Sequence, residues 1–306
     1  MSILPNLSFS HHSVVLAPEK LRYNPCNDVI FPSVVKVAQH IEKPLGTYYM
    51  YYAPHDAPGG ICLAYADSVE GPWIEYDQNP IISRHWAPHY EVSRVSSPHL
   101  IWMEAESKYF LYFHGENDTT RIASTTDGIH FEYEGTAVTT SMYEGITEAS
   151  YARVFACSIP SRDARYVLLF MGNNGGTRRI YAAWSRDGRS FEAQSTPLIN
   201  PPPNTAVTQV GAPWYLCQDE RNLVLFHGDK TDSKLSDVIT DLYLADVGPD
   251  FTEEKHLGMI YRREIVSVDN RRVSDPCLVE EDDKQWLFMS IGSRLHQKIA
   301  LAKSIT

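Results

Sequence analysis

The stretch ICLAYADSVEGPWIEY, residues 61–76, holds the pattern that decides the fold. Alternating apolar residues describe a half-buried strand, a glycine-containing turn follows, and an aromatic residue opens the return strand. The pattern recurs as RIASTTDGIHFEYE (121–134), IYAAWSRDGRSFEA (180–193) and LYLADVGPDFTEE (242–254). The turn glycines Gly71, Gly128, Gly188 and Gly248 are spaced by 57, 60 and 60 residues. Asp-Gly and Gly-Pro suit such turns because glycine accepts a positive φ without a steric penalty. The aromatics Trp73, Phe131, Phe191 and Phe251 are expected to pack between neighbouring sheets.

Upstream of each turn lies a more apolar strand, in five copies: TYYMYYAPH (47–55), KYFLYFHGEN (108–117), RYVLLFMGNN (165–174), NLVLFHGDK (222–230) and QWLFMSIGS (285–293). Upstream again comes an element with an early proline: FPSVVKV (31–37), SPHLIWM (97–103), YARVFAC (151–157, alanine in place of proline), APWYLC (212–217) and DPCLVEE (275–281). Phe31, Ser97, Tyr151, Ala212 and Asp275 therefore share one column. Four antiparallel strands per unit make a propeller blade. The expected fold is all-β, a five-bladed β-propeller forming one domain over residues 1–306. The last unit stops at KIALAKS (298–304), so its outer strand is expected from the N-terminal HSVVLAPE (12–19). A sandwich also has short strands, but not five registered copies of a three-part pattern.

Composition narrows the partners. The chain carries 27 Lys plus Arg against 38 Asp plus Glu, a formal charge of -11. That balance argues against nucleic acid and anionic membranes. No run approaches 18 apolar residues, and MSILPNLSFSHH lacks the basic start and apolar run of a secretory leader. Five dispersed cysteines (26, 62, 157, 217, 277) without a C-x-x-C are expected to be reduced, in a cytoplasmic protein with no zinc site. No cofactor and no metal ligand set is expected, with a central structural cation left open.

The string A-D-S-V-E-G-P-W (66–73) and the two S/T-x-D-G-x-x-F-E strings (125–132 and 185–192) resemble those of the five-bladed propeller glycosidases. These are glycoside hydrolase families 43, 32, 68, 117 and 130 and their relatives, and the resemblance covers essentially the whole chain. It implies a site at the mouth of the central channel with three carboxylates: a base, an acid, and a third that tunes the acid. One carboxyl group must hold a proton for the leaving oxygen while another, ionised, activates water.

Matched residue by residue, the resemblance is partial. Phe31-Pro32 stands where the family has Asp-Pro, leaving Asp28 as the candidate base; the plain alternative is a turn aspartate bonded to its own backbone. Ser97 replaces the second-blade aspartate. Glu148-Ala149-Ser150-Tyr151 resembles the segment that carries the acid, making Glu148 the candidate, with Glu144 as competitor. Asp275-Pro276 keeps the dipeptide in another blade, as a catalytic carboxylate or a structural one. Candidate substrate-binding residues are His99, His114, Glu116, His227 and Asp229 near strand ends, and the arginines Arg94, Arg153, Arg178 and Arg272, which suit an anionic sugar such as a uronate. Trp86 and Trp214 are candidate stacking residues.

These features lead to the expectation of an exo-acting, inverting glycoside hydrolase with an acid/base carboxylate mechanism for a short, uronate-containing oligosaccharide. A family-130-type phosphorylase and a catalytically silent carbohydrate-binding propeller are the alternatives.

Overall fold

The computed structural model describes residues 7–231, 238–263 and 271–305. Residues 1–6, half of the stretch read above for a leader, lie outside the described residues. No α-helix occurs among the described residues, and no helix is long and apolar enough to cross a membrane.

The strands group in fours, each group antiparallel and in sequence order. The first is Ile30–Lys36, Tyr48–Ala53, Cys62–Ala66 and Ile74–Glu75. The second is Ser96–Met103, Lys108–His114, Thr119–Thr125 and Glu132–Thr139. The third is Ser150–Ile159, Ala164–Asn174, Thr177–Ser185 and Glu192–Ala193. Val207–Gln218, Arg221–Thr231, Val238–Asp246 and Lys255–Tyr261 follow. They join the final group through one parallel pair, Thr240 with Arg272. That final group is Arg272–Glu281, Lys284–Ser293 and His296–Lys303, and the N-terminal strand Ser13–Leu16 pairs antiparallel along its outer edge.

The core lies between the sheets. The middle strands are almost wholly buried because both faces are covered: Tyr48 to Ala53 are each 1% exposed or less. Apolar clusters join the second sheet to the third, the third to the fourth, the fourth to the fifth, the fifth to the first, and the first to the second. The repeat aromatics sit in these seams, Phe191 and Phe251 buried, Trp73 and Phe131 half-buried.

Every inner strand slips register at the equivalent place: between Ile30 and Ser33, Ser96 and His99, Ser150 and Arg153, Gly211 and Trp214, and Ser274 and Cys277. Each slip holds one residue with positive φ: Phe31 (63°), Ser97 (51°), Tyr151 (56°), Ala212 (44°) and Asp275 (53°). These five are the shared column of the repeat. A bulge bends its strand and re-aims the side chain it carries. It also explains the prolines. Pro213 and Pro276 lie well inside Val207–Gln218 and Arg272–Glu281, not at a strand start as the sequence suggested. A proline within a sheet is tolerated at a bulge, where no ladder bond is lost.

Candidate active site

Three of the five bulges, those at Phe31, Tyr151 and Asp275, present their side chains to one cavity of about 290 Å³. Phe31 and Tyr151 meet edge to face, with ring centroids 5.0 Å apart. His55 stacks on Phe31, and His227 approaches Tyr151 edge-on. Arg178, Arg272 and Arg294 supply positive charge to the lining, and Asp229 joins Asp275 as a second carboxylate.

Asp275 is 2% exposed, and its Oδ2 accepts a hydrogen bond from Ser274 Oγ at 2.8 Å. Its Oδ1 has no hydrogen-bond partner and lies 3.8 Å from His227 Nδ1, which also has none. An ionised carboxylate buried with one oxygen unspent is costly unless something completes it. Asp229 Oδ1 accepts from Thr240 Oγ1 at 2.8 Å. Burial raises the Tyr151 hydroxyl well above the usual phenol range, with the nearby Asp275 adding to the effect, so Tyr151 stays a neutral donor.

Asp28 and Glu148, the base and acid candidates from the sequence, are not part of this lining. Asp28 is buried; its Oδ1 accepts from the Gln297 amide at 2.7 Å and its Oδ2 from the His55 amide at 3.0 Å. It ties the end of the first sheet's middle strand to the last sheet, and burial raises its carboxyl above the ordinary range. Glu148 Oε1 accepts from Ser150 Oγ (2.9 Å) and Asn117 Nδ2 (3.3 Å), while Oε2 accepts from Arg178 Nε (3.0 Å). Both oxygens are committed as acceptors, and the cavity meets Arg178 instead.

Of the expected binding residues, Arg178, His227, Asp229 and Arg272 line the cavity. The remaining seven are not part of its lining. Arg94 donates to Asn117 Oδ1 at 3.1 Å, and Glu116 pairs with Arg121. Trp86 packs with His89, Tyr90 and Tyr133, and Trp214 with His99 and Phe155. His99 Nε2 donates to the Val154 carbonyl at 2.7 Å; burial, reinforced by Arg153, lowers it to about 3. His114 accepts weakly from the Tyr151 amide and is likewise lowered to about 3, chiefly by burial. Arg153, 0% exposed, donates to the Pro98 carbonyl.

Phe31, Tyr151 and Arg294 were not singled out as binding residues. The first two stood in the shared column, and Arg294 directly follows the fifth apolar strand.

Among the described residues, no group of three or more His, Cys, Asp or Glu side chains is placed to hold a metal ion. The donors near the inner strands also fit a central cation poorly, because Arg153 brings a buried positive charge there. Cation repulsion in low dielectric is strong.

Solved structures give the fold a name. A β-1,2-mannobiose phosphorylase from Listeria innocua superposes with a TM-score of 0.68 at 14% identity, covering 97% of this chain and 96% of that one. The fold is that of the propeller glycosidases. The α-L-arabinofuranosidase PaAbf62A from Podospora anserina, solved with cellotriose, gives 0.65 at 12% identity over 99% and 98% of the two chains. The catalytic domain of the family 62 α-L-arabinofuranosidase from Coprinopsis cinerea gives 0.64 at 14% over 98% of each. No protein-family model matches the chain, and no curated protein matches it in sequence. The propeller likeness is therefore one of structure, at identities where sequence comparison falls silent.

Proposed function

We propose that the chain is a five-bladed propeller glycosidase that removes one sugar from the end of a short oligosaccharide at the cavity of Phe31, Tyr151 and Asp275. The five groups of four strands and the five apolar seams support the blade number. A volume of about 290 Å³ is small for a binding pocket and suits a single sugar ring, hence exo action. The observation that carries the reading is Asp275, a buried carboxylate on a strained bulge that lines the cavity and whose Oδ1 has no hydrogen-bond partner.

In this reading Asp275 takes a proton from the attacking water, whose oxygen bonds to the anomeric carbon as the glycosidic bond breaks. Asp229 is the second carboxyl group and protonates the leaving oxygen. Glu148 and Asp28 act at one remove, Glu148 by holding Arg178 and Asp28 by fixing the sheet ends around His55. Substituting Asp275→Asn and Asp229→Asn and assaying a panel of aryl glycosides is the test. Losses of about 10²–10⁴ in kcat/KM are expected for both. Full turnover by Asp275→Asn would sink the assignment.

Phosphorolysis is the second reading. It is favoured by the three arginines in the lining, which could hold inorganic phosphate in place of water. Product formation that depends on added phosphate would select it.

A further inference from the structure

The chain as a whole is acidic, with 38 Asp plus Glu against 27 Lys plus Arg. The cavity reverses that balance. Arg178, Arg272 and Arg294 face it together with His55 and His227, against Asp229 and Asp275. Arginines are costly to gather in one half-enclosed space, since like charges repel more strongly as water is excluded. Glu148 offsets Arg178 and the two aspartates offset the others, so the arginines serve here as directional donors for an anion and not as a bare excess of charge.

The geometry points to a sugar bearing a carboxylate, a uronic acid, as the ring that occupies this cavity. The inference rests on the reading of the cavity as a sugar site. A guanidinium has five N–H donors in a planar fork that matches a carboxylate. Arg178 is fixed for this role, since its Nε is bonded to Glu148 Oε2 and its backbone amide donates to Gln209 Oε1 at 2.7 Å. Its side chain remains 39% exposed, so its outer nitrogens reach the cavity. Arg272 and Arg294 have partners within the protein, but one partner does not exhaust a guanidinium. Phe31 and Tyr151 add aromatic carbon to the cavity lining, against which sugar carbons can pack. Asp275 and Asp229 line the same cavity and would repel a carboxylate placed beside them; the anionic substituent is therefore assigned to the guanidinium donors and the anomeric carbon to Asp275.

Calorimetric titration tests the inference without requiring turnover. The probes are D-glucuronate and D-galacturonate, their methyl esters, D-glucose, D-galactose and inorganic phosphate. At least one uronate is expected to bind about 10-fold or more tighter than its methyl ester and its parent hexose, a difference of about 1.4 kcal/mol. Arg178→Gln is expected to erase that preference. Equal or tighter binding of the neutral sugars, or binding of phosphate with no binding of either uronate, overturns the inference. Hydrolysis of aryl uronides and neutral aryl glycosides is measured in parallel. Uronate binding without cleavage of any glycoside would defeat the glycosidase reading alone, and cleavage confined to neutral glycosides would defeat the uronate alone.

Discussion

His227 Nδ1 and Asp275 Oδ1 face each other across 3.8 Å, and neither atom has another hydrogen-bond partner. Both residues are buried, and both line the cavity. Groups so placed act as a unit, and the effects of changing them do not add. The double variant His227→Gln/Asp275→Asn is expected to turn over within about 3-fold of Asp275→Asn alone, since coupled groups lose their shared contribution once. Steady-state kinetics of the four-member cycle measures this. Strictly multiplicative losses would mean that the pair works independently.

Glu148→Gln separates positioning from proton transfer. The substitution keeps an acceptor oxygen but removes the charge that holds Arg178 Nε. A hydrogen bond to a charged group contributes about 1.5–3 kcal/mol, so KM is expected to rise about 10-fold or more with kcat much less changed. A fall of kcat by orders of magnitude at unchanged KM would restore Glu148 as the general acid.

Asp28→Asn is expected to act on stability first. Each carboxylate oxygen accepts a backbone amide, and an asparagine would point its own N–H₂ at one of those donors. Leaving a buried donor unpaired costs about 1–3 kcal/mol, to be read from urea unfolding. Unchanged unfolding with lost turnover would identify Asp28 as the base after all.

Acid should destabilise the fold through His99 and His114. Both are buried and lowered to about 3 from an ordinary value of 6.5. The folded state then binds fewer protons than the unfolded one between those values. Stability is whole above pH 6.5 and falls as the pH drops toward 3, by at most about 1.4 kcal/mol per pH unit for each histidine. Urea midpoints measured across pH 4–7 should show the slope, reduced in His99→Gln and His114→Gln. A flat wild-type profile would contradict it.

The sequence made the architecture legible because a strand's burial is written in residues a few positions apart. Gly71, Gly128, Gly188 and Gly248 marked the turns, and Phe31, Ser97, Tyr151, Ala212 and Asp275 marked a column. That the column is left-handed was not legible, because Phe, Ser, Tyr and Ala have no local preference for positive φ. The site was legible only in part. Asp28 accepts from Gln297, 269 residues away, a tie the sequence does not announce. Glu148 holds Arg178 from a different strand, which the sequence does not announce either. Such pairings are made by closure of the whole chain and leave no mark nearby in the sequence. Asp275 was found because it alone keeps the aspartate in its column, and Tyr151 could have been found from its place in the same column.

The bulges also bear on how this scaffold can change. Each of the five strained positions works as a socket, outside the ladder of paired amides on either side of it. Replacing what a socket holds alters the chemistry offered to a ligand while the surrounding hydrogen bonds stay in place. Two sockets here carry short side chains, Ser97 and Ala212, and three carry an aromatic or an acid. A library randomised at the codons of Phe31 and Tyr151, the two cavity-lining sockets beside the proposed base, would sample new specificities on an almost unchanged frame.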